Sequence, residues 1–381
     1  MRILGVSFDY HDSAACLVED GTIVAAAQEE RFSRQKHDAR LPVGALRYCL
    51  GEASGPLDAV AFYDKPISKL HRFFETYLAV APRGAMDFSL SIPGFLRDKL
   101  WVEPRLRRTL ATLGQPDDTP ILFSEHHLSH AASAFFPSPF DQAAVLTIDG
   151  VGEWATASLG MGKGIELRVF SELRFPHSLG LLYSAFTAHC GFRVNDGEYK
   201  LMGLAPYGEP RFKRAILDEL MDLKDDGSFH LDLSYFSFHS RRSMTTRRFD
   251  RRFGGPRREA HEPLRQRELD LARSIQEATE EVVVRMARSL QKRTGARKLC
   301  MAGGVALNAV ANRRVLREAG FEELFVQPAA GDAGGALGAA LAAAHLTHRE
   351  PRSDSADRMA GAYLGPHFSD AMMRELLDKQ E

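Results

Sequence analysis

Val6-Ser7-Phe8-Asp9-Tyr10-His11-Asp12-Ser13-Ala14-Ala15 recurs in form as Leu146-Thr147-Ile148-Asp149-Gly150-Val151-Gly152-Glu153-Trp154-Ala155. In each stretch an apolar run of strand length ends in an aspartate, a small or polar turn follows, and a second strand-like run begins. Those second runs reach further turns at Glu19-Asp20-Gly21 and Gly162-Lys163-Gly164. The repetition predicts a duplicated α/β chain with two β-hairpins, each aiming an aspartate and backbone N–H groups into a shared cleft. Such a cleft suits a phosphorylated ligand and its metal.

Working outward, 381 residues exceed the size at which one core usually stops growing, so two domains of similar size are the default. A formal charge of −1 argues neither for nor against any partner, although it lacks the global basicity of a chain that lives on nucleic acid. Cys16, Cys49, Cys190 and Cys300 are scattered among apolar or small residues and read as reduced and buried, as in a cytoplasmic protein. Met1-Arg2-Ile3-Leu4-Gly5-Val6 passes straight into a strand pattern, so no signal peptide is expected. No apolar run approaches the roughly 18 residues of a membrane span.

Periodicity maps the rest. Three strands are expected over residues 2–29, a helix over 42–53 and a strand at 60–63. Residues 66–115 carry Phe, Leu and Arg at helical spacing, broken by Pro82, Pro93 and Pro104, and read as a helical insertion. A strand at 121–123 precedes a helix from Glu125 toward Ala134. The second meander is expected over 143–175, followed by small-residue helices, a polar stretch over 224–263 and a long helix over 268–293. Strands at 298–302 and 324–327 feed Gly303-Gly304 and Gly331-Asp332-Ala333-Gly334-Gly335.

His126 and His130 stand four apart, which puts both imidazoles on one helix face, the geometry used to grip one metal. With 14 histidines, chance alone gives roughly half of one such pair, so the spacing by itself reads equally as a solvated or core pair. Asp149 at the end of a hairpin strand and Asp332 in a Gly-rich turn change the weight, because open α/β sheets present ligands there. Two His and two Asp suit iron, zinc or manganese better than calcium. Gly303-Gly304-Val305-Ala306-Leu307-Asn308 follows a strand and opens a helix. It reads either as a close approach for a ribose or phosphate, with Asn308 offering a side-chain hydrogen bond, or as a tight structural turn.

These residues together resemble the O-carbamoyltransferase family that includes the nodulation and antibiotic carbamoyltransferases. Its N-terminal lobe belongs to the actin-like, sugar-kinase-like ATPase superfamily and is related to the tRNA threonylcarbamoyl-transfer protein. Further stretches carry the resemblance: Gln28-Glu29-Glu30-Arg31-Phe32-Ser33-Arg34-Gln35-Lys36-His37-Asp38, Asp196-Gly197-Glu198-Tyr199-Lys200-Leu201-Met202-Gly203-Leu204-Ala205-Pro206-Tyr207-Gly208 and Tyr363-Leu364-Gly365-Pro366. The resemblance implies a duplicated actin-like α/β fold of two lobes with a nucleotide and metal cleft between them. The first lobe is expected over 1–140, the second over 141–365, and the start of a linker to a C-terminal adenylate-forming domain over 366–381. It implies His126, His130, Asp149 and Asp332 as ligands of Fe²⁺ or another divalent metal. Gly150, Val151, Gly303, Gly304 and Asn308 would lie around the adenylate, with Glu198, Lys200 and Gly203 in the segment facing it.

In that family ATP and carbamoyl phosphate form carbamoyladenylate, whose carbamoyl group passes to a hydroxyl of a small natural product. His11 is the candidate general base, since an imidazole titrates near working pH; the alternative is a turn histidine bonded to Asp12. Lys36 and Arg34 would bind donor or acceptor, or remain solvated. The adenylate-forming domain should follow Phe368-Ser369-Asp370, so the chain is expected to be part of a longer protein or to work with a separate adenylate-forming polypeptide. The arginines between 241 and 258 read as a lobe contact or site rim, a solvated loop, or an RNA patch. Two rival activities are a tRNA threonylcarbamoyl transferase, with salt-dependent tRNA binding, and a sugar-kinase-like phosphotransferase, which has no use for two ligating histidines. A scaffold without metal is the non-enzymatic alternative.

Overall fold

The computed structural model describes residues 1–240, 243–352 and 357–379. Alternating turns and apolar runs at the N-terminus fold as the expected meander, β1 (Arg2–Ser7), β2 (Ala14–Glu19) and β3 (Thr22–Gln28), paired antiparallel in order. A single turn, α1 (Glu30–Ser33), and α2 (Val43–Gly51) lead to β4 (Ala59–Phe62), which lies parallel to β1. The insertion forms α3 (Pro66–Val80), α4 (Ala85–Gly94) and α5 (Val102–Thr112). Pro66 opens α3, where a missing N–H costs nothing. After it come β5 (Ile121–Phe123), parallel to β4, and α6 (His126–Phe135).

The second half repeats the plan. A meander of β6 (Gln142–Ile148), β7 (Ala155–Lys163) and β8 (Glu166–Arg174) precedes α7 (Leu179–His189), α8 (Glu198–Leu204) and α9 (Lys213–Ala215). A ribbon of β9 (Met221–Leu223) and β10 (Phe229–Leu231), then α10 (Arg247–Arg252), lead to α11 (Gln266–Thr294). The half closes with β11 (Lys298–Ala302), α12 (Ala309–Glu318), β12 (Glu323–Val326) and α13 (Ala333–Ala342), and α14 (Asp370–Asp378) lies beyond it. The sheets run β3-β2-β1-β4-β5 and β12-β11-β6-β7-β8. Substituting β6, β7, β8, β11 and β12 for β1 to β5 makes the two orders identical, with the same parallel and antiparallel pairs. This is the duplicated actin-like arrangement.

Strands β1 and β2 are buried along nearly their whole length, so both faces of that sheet need cover. Helix α13 packs on β1, β2 and β4 from one side, and α2 packs on β2 and β3. Reciprocally, α6 packs on β6, β7 and β11 of the second sheet and against α13 itself. Each half therefore lends its last helix to the space between the sheets. Their sequences explain the fit: α13 is almost entirely Ala and Gly, and α6 is Ala- and Ser-rich. A Cβ at Gly338 would stand 1.8 Å from the Ser129 carbonyl oxygen, and one at Gly5 would stand 1.9 Å from that of Ala336. The other face of the second sheet is covered by α11 and α7 around Leu146, Phe186, Leu271, Ile275 and Val282.

Residues 224–263 do not form the plain polar stretch expected. Phe229, Phe236, Phe249 and Phe253 are fully buried, and Phe249 and Phe253 pack edge-on with Phe186. The arginines there stitch this cap: Arg258 is 6% exposed and donates to the Cys190 carbonyl at 2.8 Å, and Arg252 pairs with Glu219. Among the described arginines of the stretch none lines the cleft between the halves, and Arg241 and Arg242 lie outside the described residues. All four cysteines are free and buried. No helix among the described residues is long and apolar enough to cross a membrane.

Candidate metal centre and interlobe cleft

The N-terminal turns of α6 and α13 meet the end of β6, and four side chains converge there. His126 and His130 present Nε2 atoms 3.1 Å apart, and Asp149 Oδ2 lies 2.9 and 3.2 Å from them. Asp332 Oδ1 stands 3.7 Å from each nitrogen. One ligand atom from each of the four falls within 4.8 Å of all the others. Both histidines and Asp332 are about 1% exposed or less, so the cluster is withdrawn from water.

Local structure holds each piece. Helical spacing stacks the two imidazoles, and the helix start is fixed by Glu153, whose carboxylate accepts from His126 N at 3.1 Å while also accepting from Lys65 N at 2.8 Å. A Cβ at Gly152 would sit 3.0 Å from the His126 side chain, so a larger residue there would press on the imidazole. Asp149 is braced through Oδ1, which accepts from Gly304 N at 3.0 Å. Gly303 next to it has φ +90°, and a Cβ would meet the Ile148 carbonyl oxygen at 2.3 Å. Tyr63 OH donates to Asp332 Oδ2 at 3.4 Å.

Electrostatically the four groups lean on one another. Burial pulls the His130 imidazolium down, but Asp149 and Asp332 outweigh it and raise the ring to about 9. Burial pushes Asp149 up, and His126 with His130 more than reverses this, holding it well below the carboxylate range; Asp332 is lowered likewise. His127 belongs elsewhere: its Nδ1 pairs with Thr147 Oγ1 at 2.7 Å, and burial leaves it neutral, pushed down to about 3. The Nδ1 atoms of His126 and His130 are buried without a hydrogen-bond partner, and both Nε2 atoms face the cluster. Two imidazole nitrogens and two carboxylates in this geometry fit a divalent cation of the iron, zinc or manganese kind.

Beside the cluster opens a cleft of ≈ 1110 Å³ between the halves. Of the expected ligand-facing residues, His11, Gly150, Val151, Glu198, Gly304 and Asn308 line it, together with Asp149. Lys36, Lys200, Gly203 and Gly303 do not. Lys36 sits at the rim, its ammonium 2.6 Å from Asp196 and 5.0 Å from the Tyr199 ring centre, and Lys200 is 3.5 Å from the same aspartate. Asn308 has its amide engaged: Oδ1 accepts from Ala311 N, capping α12, and from Gln276 Nε2, while Nδ2 donates to Gln276 Oε1. Glu198 accepts from Ser184 Oγ at 2.7 Å. His11 Nδ1 lies 2.8 Å from Asp12 Oδ2. Burial lowers this imidazole, but Asp332, Asp12 and Asp149 prevail and raise it to about 9.

The expectation of two hairpin aspartates sharing the cleft is corrected. Asp9, the counterpart of Asp149, takes φ +76° and points to Arg105 of α5, which donates to it at 2.6 and 3.0 Å. The insertion thus neutralises the first-half aspartate, and among the described residues no helix of the second half offers an equivalent arginine to Asp149. Residues the sequence reading missed include Glu153, Tyr63, and Ser178, which caps α7 through Leu181 N and also donates to Gly150 O at 2.6 Å. A serine just before an apolar helix is a legible cap signal; the partners of Glu153 and Tyr63 lie far away in sequence and leave none.

Fold and site together define a duplicated actin-like α/β protein with a buried group of two His and two Asp able to hold a metal ion beside its interlobe cleft. Residues 2–341 match the family model described as carbamoyltransferase N-terminus, and the chain belongs to that family. It is 56% identical over 375 residues to an uncharacterised protein of Synechocystis sp., covering 97% of this chain and 61% of that one. It is 37% identical to the nodulation protein NolNO of Sinorhizobium fredii, covering 96% of this chain and 51% of the relative. The chain therefore spans between half and two thirds of the length of these relatives. Among solved structures, component A of the Acidaminococcus fermentans (R)-2-hydroxyglutaryl-CoA dehydratase is 15% identical with a TM-score of 0.43, over 91% of this chain and 99% of that one. A likeness that slight says nothing about activity.

Proposed function

We propose that the chain is the transfer lobe of an O-carbamoyltransferase, moving the carbamoyl group of carbamoyladenylate to a hydroxyl of a small natural product. Membership of the family supports the reaction class. The single observation that carries the site is the convergence of His126, His130, Asp149 and Asp332 beside a cleft that Gly150, Val151, Gly304 and Asn308 line. Those four residues would hold Fe²⁺ or a similar cation. When bound, it supplies Lewis-acid stabilisation of the charge gathering on the adenylate phosphate.

The chain's own groups do the rest. Gly150 and Gly304 carry no side chain, so the backbone beside Val151 admits the nucleotide closely. His11 Nε2 receives the acceptor hydroxyl's proton as that oxygen bonds to the carbamoyl carbon and the carbon–oxygen bond to AMP breaks. Its raised pKa has to fall for this, and Asp149 and Asp332, two of the three carboxylates that raise it, would be offset if they held a cation. Lys36, held at the rim by Asp196, guides an anionic donor rather than touching the reacting atoms. Lobe limits of 1–140 and 141–365 with a linker from 366, a partner domain or polypeptide that forms carbamoyladenylate from ATP and carbamoyl phosphate, and a cytoplasmic setting complete the proposal.

The test is to combine the purified chain, Fe²⁺, synthetic carbamoyladenylate and a panel of hydroxylated metabolites, and to read carbamoyl addition by mass spectrometry. Addition to one acceptor class that disappears with chelation is expected. Transfer to tRNA alone, or phosphorylation of a sugar by ATP, would replace the proposal with one of its rivals.

A further inference from the structure

A run of hydrogen bonds crosses the mouth of the cleft. His11 Nδ1 lies 2.8 Å from Asp12 Oδ2, Asp12 Oδ1 lies 2.8 Å from His37 Nδ1, and His37 Nε2 lies 3.1 Å from Asp196 Oδ1. Lys36 donates to that same Asp196 oxygen at 2.6 Å. His11, Asp12 and His37 belong to the first half of the chain and Asp196 to the second, and all four line the cleft. One carboxylate, Asp12, serves two imidazoles, one through each oxygen. Since both rings turn Nδ1 toward it, His11 is left with Nε2 for the cleft and His37 with Nε2 for the opposite half.

The backbone is bent to make this possible. Asp12 has φ +53°, His37 φ +56° and Asn195, next to Asp196, φ +63°. A non-glycine residue in this region costs on the order of 1 kcal/mol and persists only where the surroundings enforce it. Three such residues occur at successive links of one hydrogen-bonded run. The enforcing contacts are present: Ser13 N and Oγ both donate to Asp38 O at 2.8 Å, Asp9 N donates to Ala39 O at 2.8 Å, and His37 N donates to Glu30 Oε2 at 2.9 Å. These sew the loop carrying His37 onto the first hairpin. Asp12 is also electrostatically suited to stay ionised: burial pushes it up, and His11 and His37 more than offset this and lower it.

We propose that Asp12, His37 and Asp196 are positioning residues for His11, and that Asp196, reaching across from the second half, completes the positioning only when the cleft is closed. The inference rests on the transferase reading of this cleft. A carboxylate bonded to one ring nitrogen fixes which face of an imidazole meets the substrate, and losing it misplaces the base without removing it. Opening the cleft withdraws Asp196, His37 loses its far partner, and Asp12 is then held from one side only. Its grip on His11 slackens. Transfer is thereby tied to closure, which keeps water from a reactive acyl donor while the site stands open.

The test uses the full chain, loaded with diamagnetic Zn²⁺ for spectroscopy and with Fe²⁺ for turnover, and has two arms. In the first, ¹⁵N–¹H spectra of the imidazoles are recorded with and without AMP. Asp12→Asn should shift the ring nitrogens of His11 and His37 together with or without AMP, and Asp196→Asn should shift His37 and His11 only with AMP bound. In the second, Asp196→Asn and His37→Gln should lower kcat for transfer from carbamoyladenylate by about 10-fold, as for partners that orient a catalytic group, with AMP affinity unchanged and Asp196→Glu restoring the rate. Unmoved His11 signals in Asp196→Asn with AMP bound overturn the proposal, as does a wild-type rate for that variant. The spectroscopic arm stands alone: coupled shifts sustain the positioning run even where no acceptor is carbamoylated, and in that case the transferase reading is what falls.

Discussion

His126 and His130 bring their Nε2 atoms to 3.1 Å from each other with Asp149 Oδ2 within 3.2 Å of both. Two imidazoles facing nitrogen to nitrogen can place at most one proton between them, whereas one cation satisfies both lone pairs and both nearby carboxylates at once. The purified chain should therefore retain about one divalent ion after dialysis. His130→Ala should weaken that binding beyond the roughly 10- to 100-fold typical of a residue that only orients a ligand. Metal analysis and competition with a chelator measure this, and undiminished binding by the variant would remove His130 from the ligand set.

Gly338 is where α13 comes closest to α6. Adding a methyl group places it 1.8 Å from the Ser129 carbonyl oxygen, which is backbone and cannot swing aside. Gly338→Ala should destabilise the fold by about 3 kcal/mol or more, at the upper end of overpacking costs. Urea unfolding monitored by circular dichroism reads the change. A loss under about 1 kcal/mol would mean the helices can part without penalty.

Asn308 should prove to be structural before it is anything else. Its amide caps α12 and forms a two-way pair with Gln276. Asn308→Ala removes a cap and strands a buried amide, for a combined cost of about 2–3 kcal/mol. An unchanged midpoint of thermal unfolding with weakened AMP binding would reverse that assignment.

His189 predicts acid sensitivity. Burial and then Arg267 push its imidazolium down to about 4, and neither ring nitrogen has a hydrogen-bond partner. The unfolded chain takes up this proton near 6.5 and the folded one only near 4, so the stability in question is complete above pH 6.5 and drains away as pH falls toward 4. The shift corresponds to about 3 kcal/mol. Denaturant titrations at pH 7.5 and 4.5 should show His189→Phe losing less stability on acidification than the wild type. Parallel losses in the two proteins would contradict this.

Much of this fold was legible because its signals are local. Strand-length runs ending at Asp20-Gly21 or Lys163-Gly164, the 3.6-residue period of α11, and the four-residue spacing of His126 and His130 all act within one element. Asp149 and Asp332 stood out by their turns at strand ends, and the resemblance joined them to the histidines as one ligand set; their place beside the histidines depends on α6 packing against β6 and α13. What stayed hidden was decided by distant partners. Asp9 and Asp149 look equivalent in sequence, and only Arg105, brought over by the insertion, turns one aside. Lys36 reads as a free cation until Asp196 meets it from the other half. The phenylalanines of residues 229–253 were masked by the arginines around them, of which Arg258 stitches the cap through the Cys190 carbonyl and Arg252 through Glu219.

The loan of α6 to the second sheet and α13 to the first has a thermodynamic consequence. Neither half can melt while the other persists, since each would strip its neighbour of a wall and expose alanine-lined sheet to water. Calorimetry should record a single cooperative endotherm for the chain, its calorimetric and van't Hoff enthalpies in agreement. Two resolved peaks would mean that the halves are welded less tightly than their exchanged helices require.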